Sequence, residues 1–119
     1  MADAYHHAVS SAKQFGGVPN DYLGVHQWFD RTKASWCDQR HRAVLHSAFG
    51  IGLALEFFGQ VIRRASDGRP VSVRWIGEQH VVEDCGFVPT LEDWLGELPP
   101  KPWMIRGART FTRTFKLDE

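Results

Sequence analysis

Three pairs of histidine and aspartate have the spacing of neighbours on one face of a helix. Their members are three or four residues apart: His26 with Asp30, Asp38 with His41, and His80 with Asp84. Side chains at this spacing lie over each other on a helix, so both can reach one ion. Because imidazole and carboxylate groups suit borderline divalent ions, we predict a site for zinc, iron, nickel or manganese. The predicted ligands are His26, Asp30, His41, His80 and Asp84.

A solvated helix face is the plain alternative for the third pair. Within residues 78–86, the apolar side chains gather on one side of a helix and the polar side chains on the other. That pattern is typical of an exposed amphipathic turn, in which the acids are hydrated and His80 is incidental. The sequence also lacks zinc-finger spacing and a His-Glu-x-x-His motif. His7 and His46 are further candidate ligands whose orientation the sequence leaves open.

The run Arg-His-Arg supplies two cations that could hold an anion. Arg40 and Arg42 are the predicted phosphate-binding residues, although they point to different sides of a helix and would need help from other cations. If the protein is an enzyme, we predict metal-dependent hydrolysis of a phosphate-bearing substrate by an activated water, with Glu83 as the catalytic base. The alternative is that both arginines form ion pairs with nearby acids.

Length and charge limit the classes of protein to consider. The chain has 119 residues, of which 43% are hydrophobic, so one domain with a buried core is expected. Fourteen basic and fourteen acidic residues cancel. A net charge of zero argues against bulk electrostatic binding of nucleic acid, because counterion release needs a basic surface.

Cysteine usage and the N-terminal segment predict a location. Two cysteines are too few for a disulfide scaffold, so Cys37 and Cys85 are predicted to be buried, reduced thiols. The N-terminal segment has no basic region followed by an apolar run, which predicts that there is no signal peptide. No apolar stretch reaches the roughly 18 residues that a membrane span requires. We therefore expect a cytoplasmic protein.

The elements that must position these residues are mostly helices. Apolar periodicity and capping residues predict a helix-dominated α+β fold, with four to five helices around one long central helix and one β-hairpin. The helices are predicted over 3–17, 18–33, 35–59, 78–86 and 90–98, and the hairpin over 60–77. Residues 1–104 are predicted to form a single globular domain. Residues 105–119 are predicted to be a C-terminal extension, either a strand or a flexible arm.

The end of the chain carries the predicted partner surface. Trp103 follows a proline-rich run, a context in which it covers a neighbouring element or docks on a partner, whereas the other tryptophans are expected in the core. The alternating tail beyond it either pairs with the hairpin or joins two copies into a homodimer. The partner is therefore left open between a small phosphate-bearing ligand and a second copy of the chain.

Several motifs, taken in order, resemble those of a known family. They are His-x-Trp-Phe-Asp at 26–30, Arg-His-Arg-Ala with a later histidine at 40–46, and Ile-Gly-Glu-Gln-His-Val-x-Glu-Asp-x-Gly at 76–86. With these motifs, residues 5–104 resemble a family of short proteins of unknown function that bacteria and their phages encode. The resemblance implies no activity, but it implies that the three motifs belong to one site.

A phage origin, which the resemblance implies, favours a function of a different class. The protein would then be a non-catalytic binding protein with a counter-defence role, either an inhibitor of a host protein or a protein that sequesters a nucleotide signal. On this alternative the set of histidine, arginine and acid side chains is a structural polar network, and the working surface lies elsewhere, for example at Trp103.

Overall fold

Residues 3–105 are described by the computed structural model, and they form five helices and one hairpin. The helices are α1 (Ala4–Phe15), α2 (Leu23–Phe29), α3 (Ala48–Phe58), α4 (Val73–Cys85) and α5 (Leu91–Leu95). Short 3₁₀ turns cover Pro19–Asp21, Arg31–Ala34, Gln39–Arg42 and Pro102–Ile105. Strands β1 (Val61–Arg63) and β2 (Pro70–Ser72) pair antiparallel, with Ile62 opposite Val71. The predicted helix-dominated α+β class is confirmed. The predictions made for residues 106–119 lie outside the described residues.

The helix α4 is longer than the sequence predicts. The alternation of apolar residues predicts Val73 and Trp75 in the hairpin, but α4 begins at Val73, directly after β2. The Ser72 hydroxyl accepts the backbone N–H of Trp75 and so caps the helix. Gly86 ends it with a φ of 85°, in the left-handed region that favours glycine. Capping at both ends thus extends α4 to 13 residues, against the shorter helix predicted over 78–86.

The long helix predicted over 35–59 is interrupted, and only its second half is α3. Val44 has a φ of 77°, a left-handed conformation that no α-helix contains. The chain then returns closely on itself, since a Cβ at Gly50 would lie 1.9 Å from the carbonyl oxygen of Leu45. The Ser47 hydroxyl accepts the N–H of Gly50 at 3.1 Å and caps α3. The central position in the fold belongs to α4.

The helix α4 packs against α1, α2 and α3, and the apolar core lies between them. At Gly77 a Cβ would lie 2.9 Å from Cζ of Phe29, so α4 approaches α2 as closely as glycine allows. The buried apolar side chains are Ala8, Tyr22, Val25, Phe29, Leu45, Ile51, Ala54, Val71, Val73, Ile76 and Val81. This packing brings the end of α2 beside the middle of α4.

Some predictions about burial are wrong. Cys37 is exposed and Cys85 is only partly buried, although both are predicted to be buried thiols. Trp36 and Trp75, which are expected in the core, are 50% and 60% exposed. Trp103 is 70% exposed, as its predicted surface position requires. Within residues 3–105, no helix combines the length and the apolar character needed to cross a membrane.

Candidate metal centre

Four side chains from three segments of the chain converge beside α4. Asp30 follows the last residue of α2, His46 lies shortly before α3, and His80 and Asp84 are one turn apart on α4. One donor atom of each side chain lies within 4.8 Å of the donor atoms of the other three. Two imidazoles and two carboxylates are a ligand set that binds divalent transition metals in proteins.

The donor atoms have the spacing of ligands around one ion. Nε2 of His46 lies 3.1 Å from Nε2 of His80. It lies 3.0 Å from Oδ2 of Asp84 and 3.5 Å from Oδ1 of Asp30. Nε2 of His80 lies 3.2 Å from the same oxygen of Asp30 and 3.3 Å from that of Asp84. Four tetrahedral ligands at zinc bond lengths are about 3.3–3.6 Å apart, and adjacent ligands of a six-coordinate ion are about 3.0 Å apart. The five distances, from 3.0 to 3.5 Å, lie between the six-coordinate value and the upper end of the tetrahedral values.

The four side chains are withdrawn from solvent. His46 and His80 are fully buried, and the side chains of Asp84 and Asp30 are 3% and 10% exposed. Burial raises the pKa of each carboxyl, but hydrogen bonds from neighbouring histidines, foremost that from His46, outweigh burial and hold each pKa well below its usual range. Oδ2 of Asp30 is buried and has no hydrogen-bond partner among the described residues. Two ionised and buried carboxylates need a compensating positive charge at this point.

His26 lies behind His80 and contributes no atom to the group of four. Its Nδ1 is 2.8 Å from Nδ1 of His80, and its Nε2 is 2.7 Å from the hydroxyl of Ser11. Burial, together with the neighbouring rings of His80 and His7, lowers the pKa of His26 to about 2, so this ring is neutral. His26 therefore supports one candidate ligand from behind.

His41 stands at the edge of the cluster. Its Nε2 lies 3.6 Å from Oδ1 of Asp30, but His41 is outside the group of four mutually close side chains. Its Nδ1 lies 2.7 Å from the carbonyl oxygen of Asp38, to which it donates. Of the three imidazoles predicted to share one ion, the structure brings only His80 into the group, and His46 takes a place that the sequence leaves open.

His7 connects the cluster to the surface. Its Nδ1 lies 2.7 Å from Oε1 of Glu83, and its Nε2 lies 3.1 Å from Oδ1 of Asp84. Burial disfavours a charge on His7, but the hydrogen bonds to Asp84 and Glu83 outweigh it and raise the pKa of His7. His7 thus orients the carboxylate of a candidate ligand. The spacing of four residues between His7 and Ser11 places both on one face of a helix, which could have marked His7 in the sequence. In the structure both residues are buried.

Glu83, the predicted base, is engaged outside the cluster. Its carboxylate accepts hydrogen bonds from Ser10 at 2.5 Å and from the amide of Gln79 at 3.0 Å, besides its contact with His7. Burial raises the pKa of Glu83, but these hydrogen bonds outweigh it and lower the pKa below its usual value. The described contacts join Glu83 to the cluster only through His7.

The two arginines predicted to bind phosphate have separate surroundings. Arg40 is largely exposed and forms an ion pair with Asp38 at 2.7 Å. Arg42 is mostly buried, and its Nη2 lies 3.6 Å from Oδ1 of Asp84. The geometry thus pairs each arginine with an acid and brings only Arg42 beside the cluster.

Fold and cluster together define a small α+β protein with a buried group of two histidines and two aspartates beside its central helix. Residues 2–104 match a family described as a domain of unknown function (DUF6915). The chain belongs to this family. No curated protein and no solved structure was found to match the chain.

Proposed function

We propose that this protein binds one divalent transition-metal ion through Asp30, His46, His80 and Asp84. The observation that supports the proposal is a set of five distances from 3.0 to 3.5 Å, of which four join a histidine Nε2 to an aspartate oxygen and one joins the two Nε2 atoms. Two carboxylates balance the charge of a divalent ion, and two neutral imidazoles complete the ligand set. Zinc is the first ion to test, since histidine nitrogens and aspartate oxygens are among its usual protein ligands; iron, nickel and manganese follow.

The proposed ion joins three separate parts of the chain. Asp30 at the end of α2, His46 before α3 and the two ligands on α4 would share one centre. Because the ligands are far apart in the unfolded chain, the free energy of metal binding adds to the free energy of folding. An ion present at about 100 times its dissociation constant would contribute about 2.7 kcal/mol to stability.

Elemental analysis of the purified protein, after loading with each ion and removal of the excess, tests the proposal. We expect one ion per chain, and we expect it to be lost in His46→Ala and in His80→Ala. His6→Ala is the matched control, because the side chain of His6 on α1 is 71% exposed and lies outside the cluster. Asp30→Asn keeps the shape of the ligand and removes its charge, so it guards against a variant that merely unfolds. A folded wild-type protein that retains none of the four ions would overturn the proposal.

Turnover needs more groups than the proposed ion supplies. A hydrolase acting on phosphate esters would need a base and cations at the ion, but Glu83 and Arg40 are engaged with other side chains. Of the two arginines predicted to bind phosphate, Arg42 alone lies beside the cluster. We therefore limit the proposal to metal binding, and hydrolysis stays a prediction that assays of the loaded protein can test.

A non-catalytic binding protein is the second candidate, and one surface supports it. A cavity of about 450 Å³ is lined mostly by apolar side chains, and its lining residues are Arg40, Ala43, Val44, Trp94, Leu95, Glu97 and Leu98. On this candidate the histidine cluster is a structural network, and the partner is a cytoplasmic protein or a nucleotide signal of a phage host. A protein that stays free of metal, and whose His80→Ala variant only unfolds at a lower temperature, would favour this candidate.

The predicted homodimer through the tail is tested separately. Truncation after Met104 followed by a measurement of mass in solution is the experiment. A dimer that becomes a monomer on truncation supports the prediction, and an unchanged mass contradicts it.

A further inference from the structure

We infer that Gln79, Ser11 and His26 form a directional chain of hydrogen bonds that fixes the tautomer of His80 and leaves its Nε2 free to bind the ion. The inference rests on the proposed metal centre and concerns how that centre keeps one ligand ready. Gln79, Ser11 and His26 are all buried, so water does not compete for the hydrogen bonds between them. Partners of this kind, which orient a ligating histidine from behind, raise metal affinity.

The side-chain amide of Gln79 determines which atom donates and which accepts in each of these hydrogen bonds. Its side-chain nitrogen donates to the backbone carbonyl oxygen of His7 and to the carboxylate of Glu83, each at 3.0 Å. Neither a carbonyl oxygen nor an ionised carboxylate can donate, so the amide has only one orientation that satisfies both contacts. The amide oxygen therefore faces Ser11 at 2.5 Å, and the Ser11 hydroxyl donates to it.

The orientation of the Ser11 hydroxyl then determines which ring nitrogen of His26, and in turn of His80, carries a proton. Its single hydroxyl proton is directed at Gln79, so Ser11 accepts from Nε2–H of His26 at 2.7 Å. A neutral imidazole carries one ring proton, which leaves a lone pair on Nδ1 of His26. That atom lies 2.8 Å from Nδ1 of His80, which therefore carries the proton of its own ring. In a neutral His80 ring, Nε2, the atom in the cluster, is then the bare nitrogen that a metal ion requires.

This tautomer leaves acceptors facing acceptors in the cluster. The bare Nε2 of His80 lies 3.2 Å from an oxygen of Asp30 and 3.3 Å from an oxygen of Asp84. A neutral His41 ring has the same arrangement, because its Nδ1 donates to a backbone carbonyl and its Nε2, 3.6 Å from Asp30, then carries no proton. Lone pairs that converge in this way repel one another unless a cation or added protons lie between them. A divalent ion makes all of these contacts favourable without adding protons to the rings.

The test removes the Ser11 hydroxyl from the series of hydrogen bonds and compares this variant with a variant of the neighbouring Ser10. Ser11→Ala leaves Nε2–H of His26 without an acceptor, so we expect its proton to move to Nδ1 and to displace the proton of His80 towards Nε2. Ser10→Ala is the matched control, because the Ser10 hydroxyl donates to Glu83 and takes no part in the chain. We expect zinc to bind Ser11→Ala about 10- to 100-fold more weakly, as measured by competition with a chelator.

Nitrogen-15 NMR of the imidazole rings gives a second readout that a purely structural role of Ser11 would not change. In the metal-free wild-type protein at alkaline pH, we expect a proton on Nδ1 of His80 and none on Nδ1 of His26. Two results overturn the inference: a wild-type His80 without a proton on Nδ1, or a Ser11→Ala variant that matches Ser10→Ala in ring protonation or in zinc affinity. Because the spectra need no metal, a wild-type protein that fails to bind zinc overturns the proposed function and still leaves the tautomer of His80 measured.

Discussion

Nε2 of His80 lies 3.2 Å from Oδ1 of Asp30, although fifty residues separate them along the chain. The contact depends on the close approach of α4 to α2. Gly77, one turn before His80, packs on the ring of Phe29, which directly precedes Asp30. An apolar contact in the core thus sets the distance at which two candidate ligands face each other.

We expect Gly77→Ala to lower the free energy of unfolding and to weaken zinc binding. The added Cβ would lie 2.9 Å from Cζ of Phe29 and 3.3 Å from Cγ1 of Ile51, so α4 has to move away from α2. Overpacking of a core costs about 1–3 kcal/mol. Chemical denaturation measures the stability, and chelator competition measures the zinc affinity.

Gly24→Ala is the matched control for this prediction. Gly24 lies on α2, and a Cβ there would meet no atom within 4 Å. Alanine in place of an unconstrained helical glycine stabilises by about 0.5–1 kcal/mol. If both variants bind zinc equally well, the contact between Gly77 and Phe29 does not set the geometry of the cluster.

His80 and Asp84 share a face because both lie on α4, where residues four apart are neighbours. His26 and Asp30 have the same spacing but do not meet at one ion. The ring nitrogens of His26 contact Ser11 and Nδ1 of His80, whereas Asp30 contacts Nε2 of His80. The helix predicted over 18–33 also ends early, since α2 stops at Phe29. Spacing predicts which side chains share a face, but the direction of each ring depends on partners from distant segments.

The pair Asp38 and His41 and the candidate ligand His46 lie outside the α-helices. Asp38 caps a 3₁₀ turn by accepting the N–H of Arg40, and its carboxylate pairs with the side chain of the same arginine. His46 has no helical neighbour to mark it, because its position follows from the left-handed Val44 before it. Periodicity carries no information about such a segment, whose conformation depends on contacts with distant parts of the chain.

We expect Val44→Gly to be at least as stable as the wild-type protein. A β-branched residue with a φ of 77° is strained by about 1–3 kcal/mol, which glycine relieves. The greater flexibility of glycine in the unfolded chain costs about 0.5–1 kcal/mol, and Val44 is 38% exposed, so little burial is lost. Val82→Gly is the control, because Val82 is 43% exposed but helical, and its loss of stability should be about 1 kcal/mol. Equal losses in the two variants would show that Val44 is not strained.

We expect Trp94→Phe to weaken zinc binding without touching a ligand side chain. The indole nitrogen of Trp94 donates to the carbonyl oxygen of His46 at 2.8 Å, and phenylalanine keeps a ring but removes this donor. The lost hydrogen bond should lower the free energy of unfolding by about 1 kcal/mol. Trp75→Phe is the control, because Trp75 is 60% exposed and remote from His46 in the described contacts. A zinc affinity for Trp94→Phe equal to that of Trp75→Phe would argue against the role of this hydrogen bond.

Finally, the stabilisation that zinc provides should increase with pH. Burial disfavours the charged form of His46, but its hydrogen bonds to Asp30 and Asp84 outweigh burial and raise its pKa in the metal-free protein. A raised folded pKa stabilises the metal-free protein below the unfolded value of about 6.5, and this contribution is lost as the pH rises through the folded pKa. Zinc has to displace the same proton from His46, so competition between the two decreases over that range.

Thermal unfolding with and without zinc, from about pH 5.5 to about pH 8, measures this coupling. We expect the increase in melting temperature caused by zinc to grow as the pH rises. In the chelated protein, the raised pKa values of His46 and His7 lower stability as the pH rises, whereas the lowered pKa of His26 has the opposite effect over the same range. In His46→Gln the increase caused by zinc should be largely lost at every pH, because the variant lacks one ligand. An increase that is the same at both ends of the range would mean that no proton is released when zinc binds, and His46 would then not be a ligand.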